Sequence, residues 1–345
     1  MNVLIWRTGA YGDQIVVTPL IRHLHNQGHK VFIVAGERGE QVLKNNPHVH
    51  KIIEHDKNVK NENLGDHMDY LMRKYHCDRL IDLNESIECA ISLHPRSPEY
   101  KLPKKERLAK YNRNFYEYCF EHAKEPIPAL NGYECDSMYM SKEFFKPELF
   151  FDEKELREAR NYLKPGFNIL VGLSGSGSNK AWPWIMDLCN NIGKTHPEIH
   201  IITVGDIKCE ILEDIDTPDL TNITYLSGKI PMRISMALSS MVDLLISPDT
   251  GLLHASGAYK TPKIGLLGHT TKEMITKHFE NDYSIEADER LAPCSPCSYM
   301  IYDPKMQCPL DPMFNSSICM SEGIPLQVVY ERIMEVYSAR LQEKS

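Results

Sequence analysis

One carboxylate near the start of the chain stands where it could act on a hydroxyl group. The segment RTGAYGDQ (7–14) lies between an apolar run and a helical pattern, and Asp13 follows the glycines Gly9 and Gly12 in it. Glycines at this spacing let the backbone pass close to a ligand or to a neighbouring loop. A carboxylate at the mouth of a cleft is suited to accept a proton from a hydroxyl nucleophile. The alternative is that Asp13 only caps the helix.

A second polar turn interrupts an apolar stretch in the other half of the chain. In ISPDTGLLHASGAYKTPKIGLLG (246–268), Asp249, Thr250 and Gly251 follow a buried type of strand, and His254 lies on the short helical pattern behind them. A strand that leads into a glycine turn and a helix start presents backbone N–H groups that attract anions such as phosphate. The alternative is that Asp249 caps the helix and His254 packs in the core.

Binding of a nicotinamide dinucleotide at the first loop is disfavoured. That fingerprint requires G-x-G-x-x-G, and Arg7 stands where its first glycine belongs. Glu37, after the second apolar run, is the acidic residue that would otherwise hold a ribose hydroxyl. We therefore expect no tight binding of NAD.

Alternating strand and helix patterns predict an α/β fold with two parallel sheets. In the first half, apolar runs at 3–6, 31–35, 49–55 and 78–84 predict strands, whereas 95–145 resembles an insertion with a helix at 111–123. Four more strands are predicted at 167–174, 200–206, 241–247 and 262–268, and Asp152 with Glu155 predicts a capping box between the halves. An amphipathic helix is predicted at 324–341.

Length and composition describe a globular protein of about two domains. The chain has 345 residues, 42% of them hydrophobic and 25% charged, and its formal net charge is -8. This charge disfavours general nucleic-acid binding, which usually needs a basic domain. We see neither a secretory signal nor an apolar run long enough to cross a membrane, so a cytoplasmic protein is expected.

Three segments, in the same order, resemble the motifs of glycosyltransferase family 9, the ADP-heptose:lipopolysaccharide heptosyltransferase group. RTGAYGDQIVVTPLIRHL resembles the family's Gly-x-x-Gly-Asp loop and the helix after it, LSGSGSNKAWPWIMDLCNNI its Gly-x-x-x-x-Lys-x-Trp-Pro segment, and SPDTGLLHASGAYKTPKIGLLG its Asp-Ser/Thr-Gly-x-x-His segment. The resemblance implies a GT-B fold, in which two Rossmann-like domains face each other across a cleft. It also implies an N-terminal acceptor-binding domain at 1–150, a C-terminal donor-nucleotide domain at 151–323, and a C-terminal helix at 324–345 able to pack back on the N-terminal domain.

The same resemblance assigns roles to individual residues. Asp13 would be the general base, and Lys180 would offset the charge of the departing diphosphate; a surface lysine in solvent is the alternative for Lys180. The donor-binding residues it implies are Ser174, Gly175, Lys180, Asp206, Glu210, Asp249, Thr250, Gly251 and His254, where Asp206 or Glu210 would accept hydrogen bonds from ribose. The acceptor-binding residues are Gly9, Gly12, Lys104, Lys105 and Arg107, and the last three belong to a basic run that is otherwise a solvated face.

The reaction implied is metal-independent, inverting transfer of a hexosyl, heptosyl or pentosyl group. The donor would be a nucleotide-diphosphate sugar like ADP-heptose, and the acceptor a hydroxyl of an anionic glycolipid such as a lipopolysaccharide core, reached by peripheral contact with the membrane face. Two alternatives are transfer to another anionic polymer, such as a hydroxylated DNA base, and a nucleotide-sugar binding protein without turnover. An intact Asp13 argues against loss of turnover.

Four cysteines lie close together near the end of the second domain. Cys294 and Cys297 form a C-x-x-C pair, and Cys308 and Cys319 follow. Such thiols suit a tetrahedral structural zinc site, although buried or free thiols and a redox pair are the alternatives. No cofactor is expected to take part in catalysis.

Overall fold

The computed structural model of this protein describes most of the chain. The described residues are 1–84, 102–127, 141–173, 175, 177–214, 220–298, 308 and 316–344.

A four-stranded parallel sheet in the order β3-β2-β1-β4 forms the centre of the N-terminal lobe. Its strands are β1 (Asn2–Trp6), β2 (Lys30–Ala35), β3 (Val49–Glu54) and β4 (Arg79–Asp82). The helices of this lobe are α1 (Tyr11–Asn26), α2 (Glu37–Leu43), α3 (Leu64–Lys74), α4 (Lys104–Tyr111) and α5 (Phe115–His122). The predicted alternation of strands and helices is confirmed, because parallel neighbours need a crossover between them.

A six-stranded parallel sheet in the order β10-β9-β8-β5-β6-β7 forms the C-terminal lobe. Its strands are β5 (Phe167–Gly172), β6 (Ile199–Val204), β7 (Ile223–Tyr225), β8 (Leu244–Pro248), β9 (Lys263–Leu267) and β10 (Ile285–Glu286). Its helices are α6 (Glu153–Arg160), α7 (Ile185–Thr195), α8 (Glu210–Asp214), α9 (Met232–Leu238), α10 (Gly251–Ser256), α11 (Lys272–Ile275), α12 (Ile318–Ser321) and α13 (Leu326–Lys344). The four predicted strands are present, whereas β7 and β10 are too short to give a sequence signal.

The single helix predicted at 111–123 is wrong in detail, since the chain breaks between α4 and α5. Asn114 is the N-cap of α5, and its Oδ1 accepts hydrogen bonds from the backbone N–H groups of Tyr116 and Glu117 at 3.0 and 3.2 Å. A side-chain acceptor of this kind satisfies donors that a continuous helix would have paired internally.

One apolar cluster continues from lobe to lobe. It includes Ile15 and Leu20 of α1 together with Leu253 of α10, Met274 of α11 and the nearby Phe279, all of them buried. The lobes are therefore joined by a shared core as well as by the chain.

The expectation that the C-terminal helix packs back on the N-terminal domain is wrong. Val329, Ile333 and Val336 of α13 lie in a buried cluster with Phe167 of β5 and Ile192 of α7. The apolar stripe of the helix is therefore covered by its own lobe. No helix in the described ranges is both long and apolar enough to cross a bilayer.

The predicted capping box starts α6 and also joins the lobes. Asp152 Oδ1 accepts from the Glu155 backbone N–H at 2.9 Å, and Glu155 Oε2 accepts from that of Asp152 at 3.0 Å. Arg233 of α9 donates to both Glu155 oxygens at 2.6 and 2.8 Å, and Lys44 of the N-terminal lobe reaches Oε1 at 2.8 Å. Hydrogen bonds from Arg233 are the main cause that lowers the pKa of Glu155 to about 2. Burial opposes this shift, and the hydrogen bond from Lys44 adds to it.

We predict that Glu155 contributes stability that depends on pH. Since its pKa is lower in the folded state than the ordinary 4.5, this stability is present above pH 4.5 and is lost as the pH falls through about 2. Thermal midpoints measured from pH 6 down to pH 2 should therefore fall less steeply for Glu155→Gln than for the wild type. Glu153→Gln, an exposed change in the same helical turn, is the matched control. Parallel curves for all three proteins would contradict this prediction.

Candidate active site

Asp13 is held at the start of α1 by groups that contact both of its oxygens. Arg7 Nη2 lies 2.8 Å from Oδ1, and the Ala10 backbone N–H donates to Oδ2 at 2.6 Å. The Asp13 side chain is 33% exposed, whereas that of Arg7 is 1% exposed. The N-cap is Ala10 and Asp13 stands at N3, so the hydrogen bond from the Ala10 N–H also caps the helix. The carboxylate is thus fixed in place and open to solvent.

Gly9 makes this position of the carboxylate sterically possible. A Cβ atom added at Gly9 would lie 2.3 Å from Asp13 Oδ2, far inside van der Waals contact. Arg7 is fixed in turn, because its Nη1 donates to the carbonyl of Leu83 at 2.9 Å, just beyond β4. Arg7, which stands where the dinucleotide fingerprint needs a glycine, therefore holds the candidate base Asp13 in position.

The second candidate group is the buried carboxylate of Asp249, directly after β8. Lys180 Nζ lies 3.1 Å from Asp249 Oδ2, and the Lys180 side chain is 21% exposed. Burial would raise the pKa of Asp249, but the charge of Lys180 and the hydrogen bond from His254 outweigh it and hold this pKa well below its ordinary value. Asp249 is therefore ionised, and it fixes the ammonium group at the carboxyl edge of the sheet.

Two buried histidines complete the surroundings of Asp249. His254 Nε2 lies 3.4 Å from Oδ1, and His269 Nε2 lies 3.8 Å from Oδ2. Burial lowers the pKa of His269 to about 4, so this ring is neutral at pH 7. On its other side, His254 Nδ1 lies 3.0 Å from the hydroxyl of Tyr116, on α5 of the N-terminal lobe. His254 is thus occupied on both nitrogens and faces the protein interior.

The two motifs meet where the lobes touch. A Cβ atom added at Gly251 would lie 2.7 Å from Tyr11 Cβ and 3.3 Å from the backbone nitrogen of Gly12. A Cβ atom at Gly12 would in turn lie 3.0 Å from His254 Cδ2. Only glycines allow the N-termini of α1 and α10 to approach so closely. This contact brings Asp13 and the Asp249 turn to the same edge of the molecule.

Other residues of the predicted donor site lie at the same edge of the second sheet. Gly175 adjoins the side chains of Lys180 and Thr250, whereas Ser174 lies outside the described residues. Asp206 is exposed after β6, and its Oδ1 accepts from the Lys208 backbone N–H at 3.0 Å. Glu210 begins α8 one turn later. Parallel strands place their carboxyl ends together, so these positions face the same crevice.

The basic run is less available than its sequence indicates. Lys104 reaches across to the C-terminal lobe, where it lies 2.8 Å from Glu289 and donates to the carbonyl of Ser295. Arg107 is half-buried and has contacts of its own, whereas Lys105 is exposed. Lys104 thus acts as a link between lobes, and Lys105 is the exposed one of the three cations in the predicted acceptor site.

The cysteine-bearing segment adjoins this link. Cys319 is buried, its Sγ lies 3.1 Å from the Ser317 hydroxyl, and burial raises the pKa of its thiol to about 12. Cys294, Cys297 and Cys308 are half-buried. In the part of the chain that the structure describes, no three histidine, cysteine or acidic side chains are arranged to hold a metal ion.

Three residues of this site were not found as functional groups from the sequence. In the sequence, Arg7 is only the residue that stands where the dinucleotide fingerprint needs a glycine, and Tyr116 and His269 carry no signal. Tyr116 is 138 residues away from its partner His254, and nothing in its own segment predicts that contact.

The described geometry can be compared with known proteins. The family model for glycosyltransferase family 9 (heptosyltransferase) matches residues 70–299. Lipopolysaccharide heptosyltransferase 1 of Campylobacter coli is 24% identical over 293 residues, which cover 78% of this chain and 84% of that protein.

Solved structures confirm the GT-B fold. E. coli ADP-heptose lps heptosyltransferase II has a TM-score of 0.65 and 16% identity, with 100% of each chain covered. The iron-containing dodecameric glycosyltransferase TibC from enterotoxigenic E. coli has a TM-score of 0.61 and 10% identity, with 99% of this chain and 79% of TibC covered.

We predict that the contact between the lobes fails when Gly251 gains a side chain. Gly251→Ala should lower the free energy of unfolding by about 1–3 kcal/mol, because overpacking forces the two helix starts apart. Chemical denaturation measures this. Gly65→Ala is the matched control, since an added Cβ there meets nothing within 4 Å. Equal stability of Gly251→Ala and the wild type would show that the lobes are not in contact at Gly251.

Proposed function

The chain belongs to glycosyltransferase family 9, and from this premise we propose that it transfers a heptose-type sugar, with inversion, from an ADP-heptose-like donor to a hydroxyl of an anionic acceptor. The names of its relatives, which are lipopolysaccharide and ADP-heptose heptosyltransferases, support this donor and a lipopolysaccharide core as the acceptor. The observation that carries the proposal is the contact between Gly12 and Gly251, which sets Asp13 and Lys180 at one edge of the two lobes.

The proposed reaction is a single displacement at the anomeric carbon. The acceptor oxygen forms a bond to that carbon from the face opposite the diphosphate, and its proton passes to the Asp13 carboxylate. The bond from the anomeric carbon to the diphosphate oxygen breaks, so the leaving nucleoside diphosphate gains negative charge. Lys180 offsets this charge, and no metal takes part in the step.

The surroundings of the two groups support these roles. Arg7 and the Ala10 N–H hold the Asp13 carboxylate in one position before substrate binds. Asp249 does the same for Lys180, whose ammonium group has three N–H donors and so can contact both Asp249 and a diphosphate. Such preorganisation means that little rearrangement accompanies the reaction.

For the remaining predicted residues, the exposure of each side chain decides the role that we propose for it. We assign Asp206 and Glu210 to the ribose of the donor, because they lie after β6 at the same sheet edge. His254 is buried, so its proposed role is to support Asp249 and not to bind the donor directly. On the acceptor side, Lys105 is better placed than Lys104 to attract an anion.

We predict opposite defects for the two principal residues. Asp13→Asn keeps the shape of the side chain but removes the proton acceptor, so transfer should fall roughly 10²–10⁴-fold while the affinity for ADP stays near that of the wild type. Lys180→Met should instead weaken ADP binding, because the positive charge is lost. Product formation and calorimetric titration with ADP measure the two effects.

Lys194→Met, a change in the last turn of α7, is the control for Lys180→Met and should affect neither measurement. Full transfer by Asp13→Asn would rule out Asp13 as the base. Unchanged ADP affinity in Lys180→Met would rule out the diphosphate site.

We also propose that Cys294, Cys297, Cys308 and Cys319 hold a structural metal ion with no part in transfer. Support comes from their spacing and from the thiol chemistry that suits tetrahedral zinc. Cys294 and Cys308 lie near enough to Cys319 to contribute to the raised pKa of its thiol, although the described thiols are not arranged to hold an ion. Iron is the second metal to test, since TibC is described as iron-containing.

We predict about one metal ion per chain in the purified protein, measured by elemental analysis for zinc and iron. Cys294→Ser with Cys297→Ser should remove it, because two of four ligands are lost. Cys77→Ser, which changes a half-buried thiol in the N-terminal lobe, should retain it. Wild-type protein free of both metals would refute the metal site and support the alternative of free thiols.

A further inference from the structure

A buried tyrosine of the N-terminal lobe contacts the donor side of the candidate site. The hydroxyl of Tyr116 lies 3.0 Å from His254 Nδ1, and Tyr116 is 1% exposed. Burial raises the pKa of Tyr116 well above its ordinary value, so the phenol is neutral and can donate its hydrogen. The contact of Tyr116 with His254 thus extends a series that already contains the contacts of His254 with Asp249 and of Asp249 with Lys180.

The direction of each hydrogen bond follows from the chemistry of the groups. Asp249 is ionised and can only accept, so the imidazole nitrogen that faces it, Nε2, must carry the hydrogen. In a neutral imidazole the other nitrogen, Nδ1, is then an acceptor. For such a ring, the Tyr116 hydroxyl is the donor to Nδ1. Tyr116 thus donates to His254 and His254 donates to Asp249, whereas Lys180 donates to Asp249 from the other side.

We propose that Tyr116 is a positioning residue for the donor site. By donating to Nδ1 while Asp249 accepts from Nε2–H, it fixes the position of the His254 ring, and that ring holds Asp249 in the orientation in which Oδ2 faces Lys180. The inference rests on the proposed function, in which Lys180 binds the donor diphosphate. It assigns a role on the donor side to a residue of the lobe that carries the candidate base.

The helix that carries Tyr116 is itself fixed against the C-terminal lobe. Asn114 Nδ2 donates to the carbonyl of Glu273 at 2.9 Å. Glu117 Oε1 lies 2.9 Å from His278 Nε2 and 3.0 Å from Lys277 Nζ. These contacts flank Tyr116 on both sides, so the position of its hydroxyl depends on how the lobes are packed.

The tautomer of His254 tests the proposal without any donor or activity. In protein labelled with ¹⁵N-histidine, the ring nitrogen shifts of His254, assigned by their loss in His254→Gln, should show the Nε2–H form in the wild type. Tyr116→Phe leaves the ring in place but removes the hydrogen bond to Nδ1, so the Nε2–H form should persist while the Nδ1 shift moves to that of an acceptor without a hydrogen bond. A role in packing alone would not change these shifts. Tyr118→Phe, on the same helix, should leave them as in the wild type.

The affinity for ADP gives the second measurement. It should fall roughly tenfold in Tyr116→Phe, as expected when a buried hydrogen bond supporting a site is lost, and should be unchanged in Tyr118→Phe. An imidazolium or an Nδ1–H tautomer in the wild type, or an unchanged Nδ1 shift in Tyr116→Phe, would overturn the proposal. So would a changed Nδ1 shift with unchanged ADP affinity. Failure of the wild type to bind ADP would refute the proposed function, whereas the ring nitrogen shifts would still show whether Tyr116 donates to His254.

Discussion

The charge of Asp249, buried at the end of β8, is the constraint on which the rest of the site depends. A buried carboxylate is costly unless charges or hydrogen bonds compensate it. Lys180 and His254 supply that compensation, and they come from two separate segments of the C-terminal lobe. Compensation of the Asp249 carboxylate thus fixes the segment of Lys180, helix α10 and the end of β8 relative to one another. It leaves the Lys180 side chain partly exposed where they meet.

In the N-terminal lobe, the charge of the Asp13 carboxylate is compensated in a different way. Asp13 keeps contact with solvent, and Arg7, which is itself buried, pairs with it. The Asp13 carboxylate is therefore exposed to solvent, whereas the Asp249 carboxylate is buried. Both are fixed before any substrate arrives, and both lie after the carboxyl ends of central strands, β1 and β8.

The lobes are held together by contacts of different kinds. The shared apolar cluster supplies non-directional burial, Gly12 and Gly251 allow close approach of two helix starts, and Lys44 forms an ion pair with Glu155 between the lobes. A polar contact such as that of Tyr116 with His254 adds little to stability beside these. Its geometry is directional, however, so it is suited to transmit the relative position of the lobes to the donor side.

The sequence by itself determined the α/β class, most of the strands, the capping box of Asp152 and the family motifs, because these depend on local periodicity and on short spacings. It did not reveal the break before α5, where Asn114 replaces a helical hydrogen bond, or the lobe that α13 covers. Only the tertiary structure decided that Tyr116 contacts His254, that Arg7 anchors Asp13 and that Lys104 is bound by Glu289. The contacts of Tyr116 and Lys104 join side chains that are far apart along the chain. Which side chains meet depends on how the sheets and helices pack, and no local pattern of residues encodes that packing.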